Sequence, residues 1–240
     1  MTRFESAFSA SQLKFNSPAN NSMKRFAVLL SLVIGLLWFP GAASAETKTI
    51  LLFGDSLTAG YGLDTSEGFA AQLEKALIAE GHDVKTVNAG WSGDTSTGGR
   101  SRLDWVLSSQ PKAPDLFVLE LGANDALRGV DPAITRTNID YIVGQVRARG
   151  IPILLTGMMA PRNYGAEYTE QFDKIFPELA ELHNVPLFPF FLKDVAAVEA
   201  LNQPDGIHPN KEGVSIIVEN IKPYVIKVLE GKASAIVGQR

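Results

Sequence analysis

The sequence predicts an α/β fold, a three-layer α/β/α sandwich around a mostly parallel sheet of five strands. Three observations predict it. Short apolar runs alternate with longer amphipathic stretches from Thr49 onward. Several of those runs are apolar throughout, as strands covered on both faces are. No internal repeat, low-complexity tract or linker breaks the rhythm after residue 46, so one domain holds it all.

The strands are expected at residues 49–53, 84–88, 116–121, 153–157 and 187–190. After the first, Phe69, Leu73, Ala76 and Leu77 share a helical face, with Ser66 and Glu67 at its start and Gly81 at its end. Asp131-Pro132 opens a second helix, apolar at Ile134, Ile139, Ile142, Val143 and Val146, and Gly150-Ile151-Pro152 stops it. Residues 168–182 read as a third, with Pro177 awkwardly inside. The last covers residues 211–229, where Pro223 is expected to kink or restart it.

The first 45 of the 240 residues read as a leader. Lys24 and Arg25 precede an uncharged apolar run over 26–39, followed by Pro40, Gly41 and Ala43-Ser44-Ala45. A positive flank, a short hydrophobic core and an A-x-A site make a secretory signal peptide. The run is too short for a spanning helix, which needs about 20 residues. Cleavage after Ala45 leaves a single domain over 46–240, periplasmic or secreted, with no stable membrane anchor. Translation starts at Met1 or at Met23, which gives a compact Met-Lys-Arg beginning.

The leader contains four basic residues and one acid, so the mature part carries 18 basic and 25 acidic residues, a net −7. That balance, without a basic run, argues against nucleic acid as a partner. There is no cysteine, which excludes disulfides and thiolate chemistry.

In sheets of this kind ligands bind at the carboxyl ends of the strands, and the candidate residues fall there. Ser56, in Gly54-Asp55-Ser56-Leu57, follows the first strand on an expected short helical turn. It offers either a nucleophilic hydroxyl or a simple helix cap. The chain has three histidines. His82 sits in a turn at the opposite end of the sheet and His183 near a helix end, where a cation favours the dipole. His208, in Asp205-Gly206-Ile207-His208-Pro209, has a carboxylate three residues upstream. Asp205 can hold Nδ1–H and leave Nε2 for the Ser56 hydroxyl. Gly93, in Ser92-Gly93-Asp94-Thr95-Ser96, permits close backbone approach to a substrate oxygen. Asn124, after the third strand, can donate its amide to an oxyanion. Asp94 and Asp125 are read as polar turns. Trp91, Leu127, Met158, Met159, Pro161 and Tyr164 follow strand ends as a candidate apolar acyl groove, in which the methionines serve equally well as core.

These four blocks, in order, resemble those of the GDSL or SGNH hydrolases. The stretches Ser92-Gly93-Asp94-Thr95, Glu120-Leu121-Gly122-Ala123-Asn124-Asp125 and Ala160-Pro161-Arg162-Asn163-Tyr164-Gly165 are similar to the bacterial periplasmic thioesterase, lysophospholipase and arylesterase subgroup. The resemblance covers nearly all of the mature chain. It implies a flavodoxin-like sheet, Ser56 as nucleophile, His208 as base and Asp205 as its partner. The Ser56 and Gly93 N–H groups with the Asn124 side chain would form the oxyanion hole. No metal or organic cofactor is implied. The implied substrate is a small acyl ester, thioester or lysolipid. Two other readings stay open: a carbohydrate O-deacetylase of the same family, and a non-enzymatic flavodoxin-like module that holds an anion at the serine turn.

Overall fold

The computed structural model describes residues 46–232. The leader expected over 1–45 and its cleavage site therefore lie outside the described residues.

Five parallel strands form one sheet: β1 (Lys48–Gly54), β2 (Val84–Gly90), β3 (Leu116–Glu120), β4 (Ile153–Thr156) and β5 (Leu187–Phe188). Their order is β2-β1-β3-β4-β5, the flavodoxin-like order, with the topological switch between β1 and β3. The strands begin where the apolar runs begin. Those of β1, β3 and β4 are buried almost end to end, whereas the edge strand β2 is half-exposed. Register places Gly54 opposite both Gly90 and Glu120. Whatever follows the carboxyl ends of β1, β2 and β3 is thereby gathered on one rim.

The helices among the described residues are α1 (Ser56–Ala59), α2 (Phe69–Ala79), α3 (Ser96–Ser108), α4 (Ala123–Leu127), α5 (Pro132–Ala148), α6 (Ala166–Asp173), α7 (Ile175–His183) and α8 (Lys211–Leu229). One group pairs α2 with α8, and a second packs α5 against α3 and α7. Asp131 opens α5 by accepting the Ala133 N–H at 2.9 Å, with Pro132 in the first turn as expected.

Three expectations need correction. A helix at 96–108 was not expected, because Thr-Gly-Gly-Arg-Ser-Arg shows neither propensity nor an apolar face. Its glycines serve packing: a Cβ on Gly99 would lie 2.3 Å from Leu121 Cδ1 and one on Gly98 2.2 Å from an Asp94 oxygen. Residues 168–182 belong to two helices, and the break falls at Lys174 rather than at Pro177. Pro177 is the third residue of α7, where no intrahelical N–H bond is lost. Helix α8 runs through Pro223 without restarting; burial of Ile217, Ile221 and Val225 holds both halves to the core. Among the described residues no helix is long and apolar enough to cross a membrane.

Candidate active site

The chain leaves β1 at Gly54 and turns at once into α1. Asp55 caps it, Oδ1 accepting the Leu57 N–H at 3.0 Å. Ser56 is the first helical residue, so its own N–H has no partner within the helix. Gly60 ends α1 after one turn in the left-handed conformation (φ 81°). The turn is clamped against β2, where a Cβ on Gly90 would sit 2.3 Å from Ala59 N. Ser56 is buried to 8 % exposure, which leaves little of it beyond the cleft-facing hydroxyl open to solvent.

The loop before α8 meets it from the other end of the chain. Asp205 Oδ1 accepts the N–H groups of Ile207 and His208, each at 3.0 Å, across a turn in which Gly206 has φ 73°. Oδ2 lies 2.6 Å from His208 Nδ1. With the proton on Nδ1, His208 Nε2 accepts from Ser56 Oγ at 2.9 Å. The hydrogen bond from His208, helped by the two backbone N–H groups, pulls the Asp205 carboxyl down to about 2, so it stays charged at any working pH. His82 and His183 stand apart from this cluster: His183 Nε2 faces Asp140 Oδ1 at 2.5 Å.

Two further loops reach the same rim. Gly93 has φ 85°, where a side chain is disfavoured, and its carbonyl accepts from Arg128 Nη2 at 2.9 Å. Asn124, in the first turn of α4, donates its amide to the Asp94 carbonyl at 2.9 Å and to Asp55 Oδ2 at 3.2 Å. That side chain joins the Gly93 loop to the serine turn.

A cleft of about 400 Å³ opens on Ser56, Asn124 and His208, within the size range of small-molecule sites. Leu127, Met158, Met159 and Pro161 line it as expected, and Leu57, Phe190 and Ile207 complete its apolar wall. Met158, at 4 % exposure, belongs to core and cleft at once. Two expected lining residues do not reach the cleft. Trp91 is 63 % exposed and points elsewhere. Tyr164 does not line the cleft; its hydroxyl donates to the carbonyl of the lining residue Leu127 at 2.7 Å. Among the described residues no cluster of three or more acidic or histidine side chains is placed to hold a metal.

The supporting residues were not legible in sequence. Arg102 on α3 donates to Asp94 (2.5 Å), the Ala89 carbonyl (2.8 Å) and the Gly54 carbonyl (2.9 Å), with its guanidinium 3.9 Å above the Phe53 ring. It thus ties the ends of β1 and β2 to the Gly93 loop. Asp125 is no mere turn residue. It is fully buried and accepts the Ser96 N–H (2.7 Å), the Ser96 hydroxyl (2.5 Å) and the Thr135 hydroxyl (3.1 Å). The Tyr61 ring lies 4.6 Å from that of His208. Gln203 bridges the Tyr61 and Pro209 carbonyls at 2.8 and 3.0 Å.

An alcohol, an imidazole and a carboxylate in series at the carboxyl edge of a parallel sheet define the class: a serine hydrolase acting on ester bonds. The model of the GDSL-like lipase/acylhydrolase family matches residues 52–216, and the chain belongs to that family. It is 42 % identical to esterase TesA of Pseudomonas aeruginosa over 85 % of this chain and 99 % of that protein. It is 38 % identical to thioesterase 1/protease 1/lysophospholipase L1 of Escherichia coli over 83 % of this chain and 91 % of that one. Among solved structures, the SGNH-hydrolase esterase AlinE4 shares 48 % identity with a TM-score of 0.66, covering 76 % of this chain and 96 % of that one.

Proposed function

We propose that Ser56 is the acylated nucleophile, His208 the general base and Asp205 the carboxylate that orients it. The observation that carries this reading is the unbroken series from Asp205 Oδ2 through His208 to Ser56 Oγ at the mouth of an apolar cleft. Ser56 Oγ attacks the ester carbonyl carbon while Nε2 takes its proton. The developing oxyanion is received by the Ser56 and Gly93 N–H groups and the Asn124 amide. Asn124 turns one N–H from its resting partner to do so. The imidazolium returns its proton to the leaving alkoxide or thiolate as the tetrahedral centre collapses to an acyl-enzyme. Water, deprotonated by the same imidazole, then frees the carboxylic acid and restores Ser56.

The substrate class follows from the walls. A cleft lined by Leu57, Leu127, Met158, Met159 and Phe190 favours an acyl chain of several methylenes over an acetyl group on a hydroxylated sugar. Acyl esters and lysolipids are the proposed substrates, and acyl thioesters fit the same chemistry. The signal-peptide pattern of residues 24–45 supports export to the periplasm or beyond as part of the same proposal; N-terminal sequencing of exported protein should begin at Glu46.

The decisive experiment joins a fluorophosphonate probe to an ester panel. Labelling at Ser56, with octanoyl esters hydrolysed faster than acetyl esters or acetylated xylan, supports the reading. Ser56→Ala should abolish labelling and lower kcat by about 10⁴-fold or more, without a change in Tm. An active Ser56→Ala protein removes the nucleophile assignment, and a preference for acetylated xylan transfers the enzyme to the deacetylases.

A further inference from the structure

Beneath the serine turn lie two carboxyl groups that acyl transfer leaves unused. Asp55 and Glu120 are fully buried. Glu120 reaches the turn from the end of β3. Its Oε2 accepts the Thr58 hydroxyl at 2.8 Å and the Asp55 N–H at 3.3 Å, while Oε1 is buried without a hydrogen-bond partner. Gly54 makes the room, since a Cβ there would fall 2.5 Å from Oε2. Asp55 in turn holds the Leu57 N–H and the Asn124 amide. The two acids therefore hold the residues on either side of Ser56, and Asp55 also holds Asn124.

The charged groups around the pair do not neutralise it. From α3 comes Arg102, whose fork is matched by Asp94 and two carbonyls. From α4 comes Asp125, turned to Ser96 and Thr135. From the loop before α8 comes His208, paired with Asp205; α1 itself contributes no charge. Two negative charges here would be buried without a dedicated cation, one of them with a bare oxygen, which is costly.

We propose that Asp55 and Glu120 retain one proton between them through neutral pH, and that Glu120 is a positioning residue whose singly protonated pair with Asp55 holds the Ser56 turn and the Asn124 amide in register. Burial acts in this direction on both groups. It pushes Glu120 up to about 7 and Asp55 well above its ordinary value, the latter raised further by the nearness of Glu120. The two titrate as a unit. The inference rests on Ser56 as nucleophile. As pH rises, the second negative charge develops beside the cap and the turn loosens. Because the folded carboxyl is shifted upward, its stabilisation is complete below the ordinary value of 4.5 and is lost as pH climbs through about 7.

The test is Glu120→Gln, an uncharged near-isostere whose NH₂ takes the place of the unpartnered oxygen. Its kcat/KM should stay within about threefold of the unsubstituted enzyme near pH 6 and hold at alkaline pH where that enzyme declines. Its Tm should gain on the unsubstituted protein as pH rises from about 5 to 8. The infrared spectrum of the unsubstituted protein at pH 7 should contain the C=O stretch of a neutral carboxylic acid, a measurement that needs no variant to fold. Superimposable pH profiles, a folded Glu120→Gln at least about tenfold slower at every pH, or no neutral-acid band would each overturn the proposal. The Tm series repeated in Ser56→Ala protein needs no catalysis. Failure of the nucleophile assignment is thus read separately, in the activity of Ser56→Ala.

Discussion

The two halves of the proposed catalytic cluster are held by different means. Ser56 stands on the sheet. Its turn is fastened to β3 through Glu120, to α3 through Arg102 and to α4 through Asn124, by contacts 48 to 69 residues away in sequence. His208 stands on a loop whose geometry is mostly local. Asp205 binds its own neighbours, and Gln203 adds an N–H bond to the His208 carbonyl at 2.7 Å. The difference teaches where precision comes from. A nucleophile must meet a fixed oxyanion site, so its position is tied to the core. A base must accept and return a proton, and a self-contained turn suffices for that.

The largest effect should separate the halves most sharply. Asp205→Asn should cost about 10⁴-fold in kcat by giving His208 the wrong tautomer. Its Tm should fall only slightly, since the Asp205 side chain is 38 % exposed and Asn keeps an oxygen for the Ile207 and His208 N–H groups. Calorimetry showing a large drop in Tm would break the comparison by making the base loop part of the core. The pH dependence sharpens the same point. The Asp205 carboxyl, lowered to about 2, contributes its stabilisation above the ordinary value of 3.8 and loses it only as pH falls through about 2. Loss of activity on mild acidification should therefore not come from protonation of Asp205, and Asp205→Asn should not abolish the acid limb of the residual rate.

A smaller effect is expected at Asn124. Asn124→Ala removes one oxyanion donor and should lower kcat by about 10²–10³-fold with KM nearly unchanged. Steady-state kinetics showing a KM effect alone would assign Asn124 to substrate binding. The smallest effect on rate, and the largest on stability, belongs to Arg102. Arg102→Lys keeps the charge but loses the fork that reaches Asp94, Ala89 and Gly54 together. Urea denaturation should show a loss of about 2–3 kcal/mol, with kcat reduced about tenfold. A stable but slow Arg102→Lys, or a fast but unstable one, would show that the sheet-borne half is not bound to the core as described.

Legibility in the sequence divides along the same line. Ser56, Asp205 and His208 were readable because each lies in a short segment whose chemistry is local. The strands were readable because β1, β3 and β4 are covered on both faces, which demands unbroken apolar runs. Arg102, Glu120 and Asp125 were not, because register and helix rotation decide what a buried charge touches, and neither is written in neighbouring residues. Trp91 and Tyr164 failed for a related reason. Adjacency to a strand end places the backbone near the cleft without fixing where the side chain goes. The helix Ser96–Ser108 was hidden by the glycines that let it approach Leu121.

The Ser56–His208 hydrogen bond spans 152 positions of the chain, and Lys48 at the head of β1 donates to the Leu229 carbonyl at the end of α8. A ribosome that has made everything up to β5 has produced an alcohol with nothing to take its proton. Under the proposed roles, hydrolytic competence arrives only when the loop before α8 has emerged and docked, so the first turnover of a newborn molecule reports that α8 has come home.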